Sequence, residues 1–297
     1  MSGTFQVYDP FQSEHVADRR VDVWLPPGYR ESAGRRYPVI YAHDGQNLFD
    51  EATAFVGVDW GIDEAIMRLM SEDVRYGAIV VGIWNTSSRI QEFMPQKPLQ
   101  LPNNDRIRHR FSDRYGGEPV SDAYLKFIVD ELKPMVDRDF RTERGPDSTL
   151  ILGSSMGGLV SLYGICEYPD VFGTAVCMST SWTVGGKPTL AFLRSGIPAP
   201  GKNVIYFDHG NEAQIGAYEK LQHAVDILFA TSGYRRDVDF MSLRFDGADH
   251  SEVAWRDRVA VPLRFALRPG RRSLLHPKQG LFAGAQQDEW RRDDFEH

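Results

Sequence analysis

Apolar residues in this chain come in two alternating rhythms. Short continuous runs of Val, Ile, Leu and Tyr fall at 21–25, 39–43, 78–84, 149–153, 174–178, 204–208 and 241–245. Continuous apolar character is what a strand shows when helices cover both faces of its sheet. Between these runs lie amphipathic segments at 60–70, 122–137, 158–168, 213–230 and 252–266. In the second, Leu125, Ile128, Val129, Leu132 and Val136 recur at helical spacing. Pro169 stops the third. The alternation predicts an α/β fold, a mostly parallel twisted sheet with helices on both faces and an antiparallel part near the N-terminus.

Two stretches break the rhythm. Residues 85–119 hold Pro, Asn, Arg and Gly with no clean period. A segment of this length without a pattern reads as a functional, lid-like insertion. Residues 271–297 are polar and charged and read as a C-terminal tail. The predicted organisation is one α/β domain over 1–270, carrying the insertion 85–119, followed by the tail 271–297.

One apolar run ends in an unusual way. "TLILGSSMGGLVSLYG" (149–164) passes from a β-branched strand through Gly-Ser-Ser-Met-Gly-Gly into a helix. Gly153-Ser154-Ser155-Met156-Gly157 fits G-x-S-x-G in the strand–turn–helix context that a nucleophile elbow requires. Its glycines let neighbouring backbone approach, and the serine oxygen stands at a helix N-terminus, where developing negative charge is favoured. A phosphate loop would need Gly-Lys-Ser/Thr and a dinucleotide site G-x-G-x-x-G, and neither is present.

A serine nucleophile needs a base and an acid that orients the base. Of eight histidines, His250 in "FDGADHSEVAWRDR" follows the last strand and precedes the last helix, where the order Ser…acid…His places the base. The acid should follow the preceding strand, and "VIYFDHGNEA" offers Glu212 beyond a glycine or Asp208 at the strand end. Glu212 is preferred, with Asp208 as the alternative. For the oxyanion, the N–H of Met156 is one donor and the N–H of Gln46, in "HDGQNLF", the other.

Composition narrows the partners. A net charge of −7 argues against a nucleic-acid surface and leaves no polybasic patch for a membrane. Cys166 and Cys177 sit in apolar runs and read as buried free thiols. The N-terminus lacks a basic and apolar leader, and no segment approaches the ~18 apolar residues of a spanning helix. Cytoplasmic location is therefore expected, or secretion if a signal peptide has been removed. No His/Cys/Asp cluster has metal-ligand spacing, and no cofactor is expected. Arg106, Arg108, Arg110 and Arg114 are candidates to grip an anionic part of a substrate or to form a solvated basic run. Trp182, in "MSTSW", is a candidate substrate-facing wall or a packing residue.

Taken together, "YPVIYAHDGQNLFD", "VGIWNTSSRIQEFMPQ", "LGSSMGGLVSLYGICEYPDVFG" and "FDGADHSEVAWRDRVAVPLRFAL" resemble the putative esterase family of α/β-hydrolases. That group contains esterase D, siderophore esterases, feruloyl and acetylxylan esterases, and the antigen 85 mycolyltransferases. The resemblance runs to about residue 267. It implies a serine hydrolase of carboxylic esters working through an acyl-enzyme on a small-molecule ester. It carries over Ser155 as nucleophile, His250 as base, and Gln46 and Met156 as oxyanion donors. It supports Glu212, because the family's acid commonly follows a glycine after the penultimate strand. Relatives often carry a further Asp where this chain has Gln214-Ile215-Gly216, and some siderophore esterases work with a dyad. An acyltransferase using the same acyl-enzyme, and a catalytically silent binding protein on this scaffold, are the alternative readings.

Overall fold

The computed structural model describes residues 3–210 and 217–270. Eight strands form one sheet: β1 (Thr4–Phe11), β2 (Arg19–Leu25), β3 (Val39–His43), β4 (Ile79–Ile83), β5 (Thr149–Ser154), β6 (Thr174–Met178), β7 (Val204–Gly210) and β8 (Phe240–Phe245). Their order is β1-β2-β4-β3-β5-β6-β7-β8. β1 and β2 pair antiparallel, as do β2 and β4, and every other pairing is parallel. This is the α/β-hydrolase arrangement, a mixed and mostly parallel sheet.

The two-faced burial inferred from the sequence is present. In β3, Val39 and Tyr41 enter one apolar core, while Ile40 and Ala42 enter the other on the opposite face. In β5, Ile151 faces the first core and Leu150 and Leu152 the second. Alternate residues along a strand point to opposite faces. A strand covered on both sides must therefore be apolar throughout. Helices α1 (Ile62–Glu72), α10 (Glu252–Arg258) and α11 (Ala260–Leu267) cover the second face. The first is covered by α2 (Arg89–Phe93), α3 (Gln96–Gln100), α5 (Ser121–Lys126), α6 (Lys133–Asp139), α7 (Met156–Glu167), α8 (Trp182–Gly196) and α9 (Ala217–Thr231). Helix α4 (Asp105–Tyr115) buries only Phe111 in that core, with Tyr115 packed partly buried against it.

Several elements differ from expectation for identifiable reasons. Residues 85–119 are not irregular: α2, α3 and α4 lie within them. The single helix expected at 252–266 is two, since Pro262 has no N–H for the carbonyl of Arg258. The helix expected at 122–137 is longer and holds a π-helical stretch, Phe127–Leu132, between α5 and α6. Helix α8 was not anticipated. It kinks at Gly186, whose φ of 59° leaves helical space just ahead of Pro188.

From β3 the chain crosses to β4 on one side, whereas β5 lies on its other side. The loops leaving the C-terminal ends of β3 and β5 therefore diverge at a topological switch point, where open α/β sheets place their ligand crevice. "HDGQ" and "GSSMG" are those two loops.

Candidate active site

Ser155 sits between β5 and α7 with φ 55° and ψ −119°, a region that L-residues rarely occupy. Holding it there costs about 1–3 kcal/mol. The surroundings fix it: its N–H donates to Met178 C=O at 2.9 Å, and its C=O accepts from Ser181 N–H at 3.0 Å. The tight turn needs Gly153, where an added Cβ would lie 2.6 Å from the backbone of Gly157. Serine Oγ is thereby lifted to the N-terminus of α7.

His250 arrives from the loop between β8 and α10. Its Nε2 lies 2.9 Å from Ser155 Oγ, a hydrogen bond spanning 95 residues of sequence. The ring packs edge-on against Trp255, 5.2 Å between centroids, and Trp255 Nε1 donates to Ser179 Oγ at 3.1 Å. Burial, then the charge of Arg258, holds the His250 pKa below the ordinary histidine value, with Asp249 opposing and Arg89 reinforcing the shift. The ring is accordingly neutral at neutral pH and able to accept a proton.

Across the crevice, β3 ends at His43 and the chain turns through Asp44, whose φ of 56° is left-handed. Gly45 packs onto β4 so closely that a Cβ would meet the backbone of Gly82 at 2.6 Å. Asp44 is buried, and its carboxylate accepts from Arg89 Nε at 2.6 Å, Arg89 Nη2 at 2.7 Å and Asn85 Nδ2 at 2.6 Å. Gln46 Oε1 accepts from Asn85 N–H at 3.3 Å. Gln46 N–H lies in the first turn of a 3₁₀ helix (Gly45–Asn47), and Met156 N–H in the first turn of α7. Backbone N–H groups in such positions have no intrahelical acceptor. The two turns touch, for a Cβ on Gly157 would stand 3.4 Å from His43 Cβ and 3.6 Å from Asp44 Oδ2.

Residues 13–265 match the family described as Putative esterase. The chain belongs to the Putative esterase family. Two similar relatives come from Bacillus subtilis (strain 168). The uncharacterized protein YbbA is 29% identical over 171 residues, covering 57% of this chain and 60% of that one. The ferri-bacillibactin esterase BesA is 30% identical over 152 residues, 49% of this chain and 48% of that one. The chain thus spans between about half and three fifths of the length of these curated relatives. Among solved structures, an IroE-like serine hydrolase from Shewanella oneidensis shares the fold at TM-score 0.67 and 20% identity. That match covers 89% of this chain and 79% of the other. The enterobactin esterase of Shigella flexneri does so at TM-score 0.64 and 18% identity, with 90% and 59% covered.

Other expected residues of this Putative esterase family chain stand elsewhere. Asp208 is fully buried and engaged away from His250. Its Oδ1 accepts from Arg258 Nε and Nη2 at 3.1 Å each, and its Oδ2 from Tyr206 Oη at 3.0 Å. Burial raises its pKa and Arg258 opposes that shift. Glu212 lies outside the described residues. Trp182, expected as a substrate-facing wall or a packing residue, is placed among packing partners. It is 1% exposed, packs on Phe207, and spends its Nε1 on Gln222 Oε1 at 2.7 Å. Its flat ring is the first residue of α8, and the helix turns it inward. Arg106, Arg110 and Arg114 are exposed along one side of α4, four residues apart, while Arg108 pairs with Asp105 at 3.1 Å. Cys166 and Cys177 are free thiols. Among the described residues no helix is long and apolar enough to cross a membrane, and no group of His, Cys, Asp or Glu could hold a metal ion.

Three features were missed from the sequence. Ser181 Oγ lies 2.9 Å from Ser155 Oγ, although a serine heading a helix reads as a cap. Arg258 closes a buried network with Asp208, Ser179 and the carbonyl of Ala254. Arg89, inside the segment 85–119 that the sequence marks only as lid-like, grips the Asp44 turn. The helical spacing of Trp255 and Arg258 after His250 was the available signal for the second.

Proposed function

We propose that this protein is a serine hydrolase of carboxylic esters. In this reading Ser155 is the nucleophile and His250 the base, with Glu212 as the acid that orients the imidazole. The backbone N–H groups of Gln46 and Met156 form the oxyanion hole. The observation that carries it is the 2.9 Å bond between His250 Nε2 and the strained elbow serine. Commitment of Asp208 to Arg258 supports Glu212, which follows Gly210 at the end of β7.

In acylation, Ser155 Oγ–H passes its proton to His250 Nε2 while Oγ bonds to the acyl carbon. The carbonyl π pair moves onto oxygen, where the two N–H donors stabilise it. Collapse breaks the bond to the alcohol, which leaves with the proton from His250. Water then repeats the sequence on the acyl-enzyme: it gives a proton to His250, attacks, and Ser155 departs with that proton restored. Arg89, from α2, holds the Asp44 turn and supports 85–119 as a segment over the site. Free thiols favour a reducing compartment, and cytoplasmic operation is part of the proposal.

The test is a panel of p-nitrophenyl esters, feruloyl and acetyl sugar esters and a catecholate siderophore, run beside fluorophosphonate labelling read by intact mass. Hydrolysis of at least one ester and one adduct at Ser155 are expected. A folded protein that neither turns over nor labels would refute the reading.

A further inference from the structure

The elbow serine has a second hydroxyl neighbour that the triad chemistry leaves unused. Ser181 Oγ stands 2.9 Å from Ser155 Oγ, the same distance as His250 Nε2. Ser181 is buried, and its backbone N–H already donates to the Ser155 carbonyl at 3.0 Å. It occupies the N-cap position of α8, where a serine oxygen ordinarily accepts from an N–H of the first turn. Here that side-chain bond is not made. The hydroxyl is turned to Ser155 instead.

We propose that Ser181 is a catalytic residue that donates a hydrogen bond to Ser155 Oγ through both halves of the reaction, an inference that rests on the serine-esterase reading. Proton counting sets the direction. Ser155 has one hydroxyl proton, and the neutral His250 Nε2 accepts it before attack. The second contact must then run from Ser181 O–H to Ser155 Oγ. An sp³ oxygen bonded to Cβ and hydrogen has two lone pairs. One accepts from Ser181, and the other is left to attack the acyl carbon. Two fixed partners therefore set both the Ser155 rotamer and the direction of its reactive lone pair.

The same donor acts again after acylation. Ser155 Oγ is then the ester oxygen and, in deacylation, the leaving group. As the tetrahedral intermediate collapses, the acyl C–Oγ bond breaks, its electron pair goes to Oγ, and the His250 proton follows. Ser181 O–H keeps its own proton and stabilises the oxygen while charge grows on it. A donor aimed at a site of developing charge matters more in the transition state than in the ground state. Breakdown of the acyl-enzyme should therefore suffer more than its formation when the donor is removed.

The experiment is burst and single-turnover kinetics with p-nitrophenyl acetate on wild type, Ser181→Ala and Ser181→Thr, with fluorophosphonate labelling and thermal melts. Loss of one hydrogen bond to a charge-bearing oxygen predicts deacylation slowed by about 10- to 100-fold in Ser181→Ala, acylation slowed less, and a larger burst. Ser155 still labels, the melting temperature falls by no more than the few degrees that one lost hydrogen bond carries, and Ser181→Thr restores deacylation. Should Ser181→Ala not fold, Ser181→Cys, a weak donor of similar size, is read the same way. A folded Ala or Cys variant with wild-type rate constants overturns the inference while leaving the esterase reading intact. An equal loss in Ala and Thr variants does so too, by making the role steric. A wild-type protein that forms no adduct at Ser155 overturns the esterase reading and this inference with it.

Discussion

Replacing Gly153 with alanine is expected to cost this protein far more than replacing Gly157. A Cβ on Gly153 would meet Gly157 Cα, C and O at 2.6–2.8 Å. Those atoms are backbone at the start of α7 and cannot rotate aside. An ordinary contact begins at 3.4 Å, so strand and helix must part by ~0.6–0.8 Å. The displacement falls on Ser155, midway between the two glycines, whose Oγ is held at 2.9 Å from His250 Nε2. Misplacing reacting groups by about 1 Å costs about 100-fold in rate, and overpacking against backbone costs about 3 kcal/mol. Gly157→Ala meets nothing closer than His43 Cβ at 3.4 Å. It also gains about 1 kcal/mol of helix propensity. Measurement of kcat/KM on a short-chain p-nitrophenyl ester, with thermal melts, separates the two. Gly153→Ala should lose roughly 100-fold in kcat/KM and ~6–12 °C in Tm, against little change for Gly157→Ala. Equal effects at both positions, or a Gly153→Ala protein close to wild type, would refute the steric argument.

Ser155→Ala and His250→Ala should each lower kcat by about 10⁶-fold, with the double variant scarcely worse, because the two groups act in one step. Additive losses would show separate roles. The acid limb of the kcat/KM profile should lie below the ordinary histidine value, since burial and Arg258 depress His250 and activity appears as it loses its proton; a limb above that value would contradict the assignment. Glu212→Gln should cut kcat by orders of magnitude with Tm unchanged. Asp208→Asn should strand Arg258 and lose about 3–5 kcal/mol of stability, with the smaller kinetic effect. The reverse ranking in kcat would return the acid to Asp208. His43 is buried and its pKa lowered to about 3, so the unfolded chain takes up a proton that the folded chain refuses. Stability should then fall by about 1.4 kcal/mol per unit as pH drops from ~6.5 toward 3, less steeply in His43→Gln. Denaturant midpoints across that range are the check.

Strands were legible where burial on both faces left a plain apolar signature, as in β3 and β6, whose bounds match the expected runs. β1 gave no such signal because it is an edge strand, and its Phe5 and Val7 are about half exposed. Helix α4 was illegible for a different reason. Of its side chains only Phe111 is buried, so there is no apolar stripe to read. Helix α8 was hidden by Gly185-Gly186 and Pro188, which signal a break. The break is real, but the helix resumes after it. The meeting of Ser155 and His250 was legible because each sits in a local context, a strand–turn–helix and a strand–helix loop. Partners supplied from far along the chain had no local signature.

Asp208 shows why position alone could not decide between the two carboxylates. A carboxylate at the end of a central strand is buried by the elements on both faces, and a buried charge needs a partner. That partner, Arg258, stands 50 residues later on α10. Helix α10 also carries Trp255, whose ring backs His250 and whose Nε1 shares Ser179 Oγ with Arg258. The ion pair therefore docks onto β7 the helix that supports the histidine. Removing Asp208 would loosen that helix and leave an uncompensated cation close to His250. The carboxylate thus bears on His250 through packing and charge without a hydrogen bond to its ring. In the proposed triad the carboxylate that contacts the imidazole is Glu212, four residues beyond Asp208 in sequence.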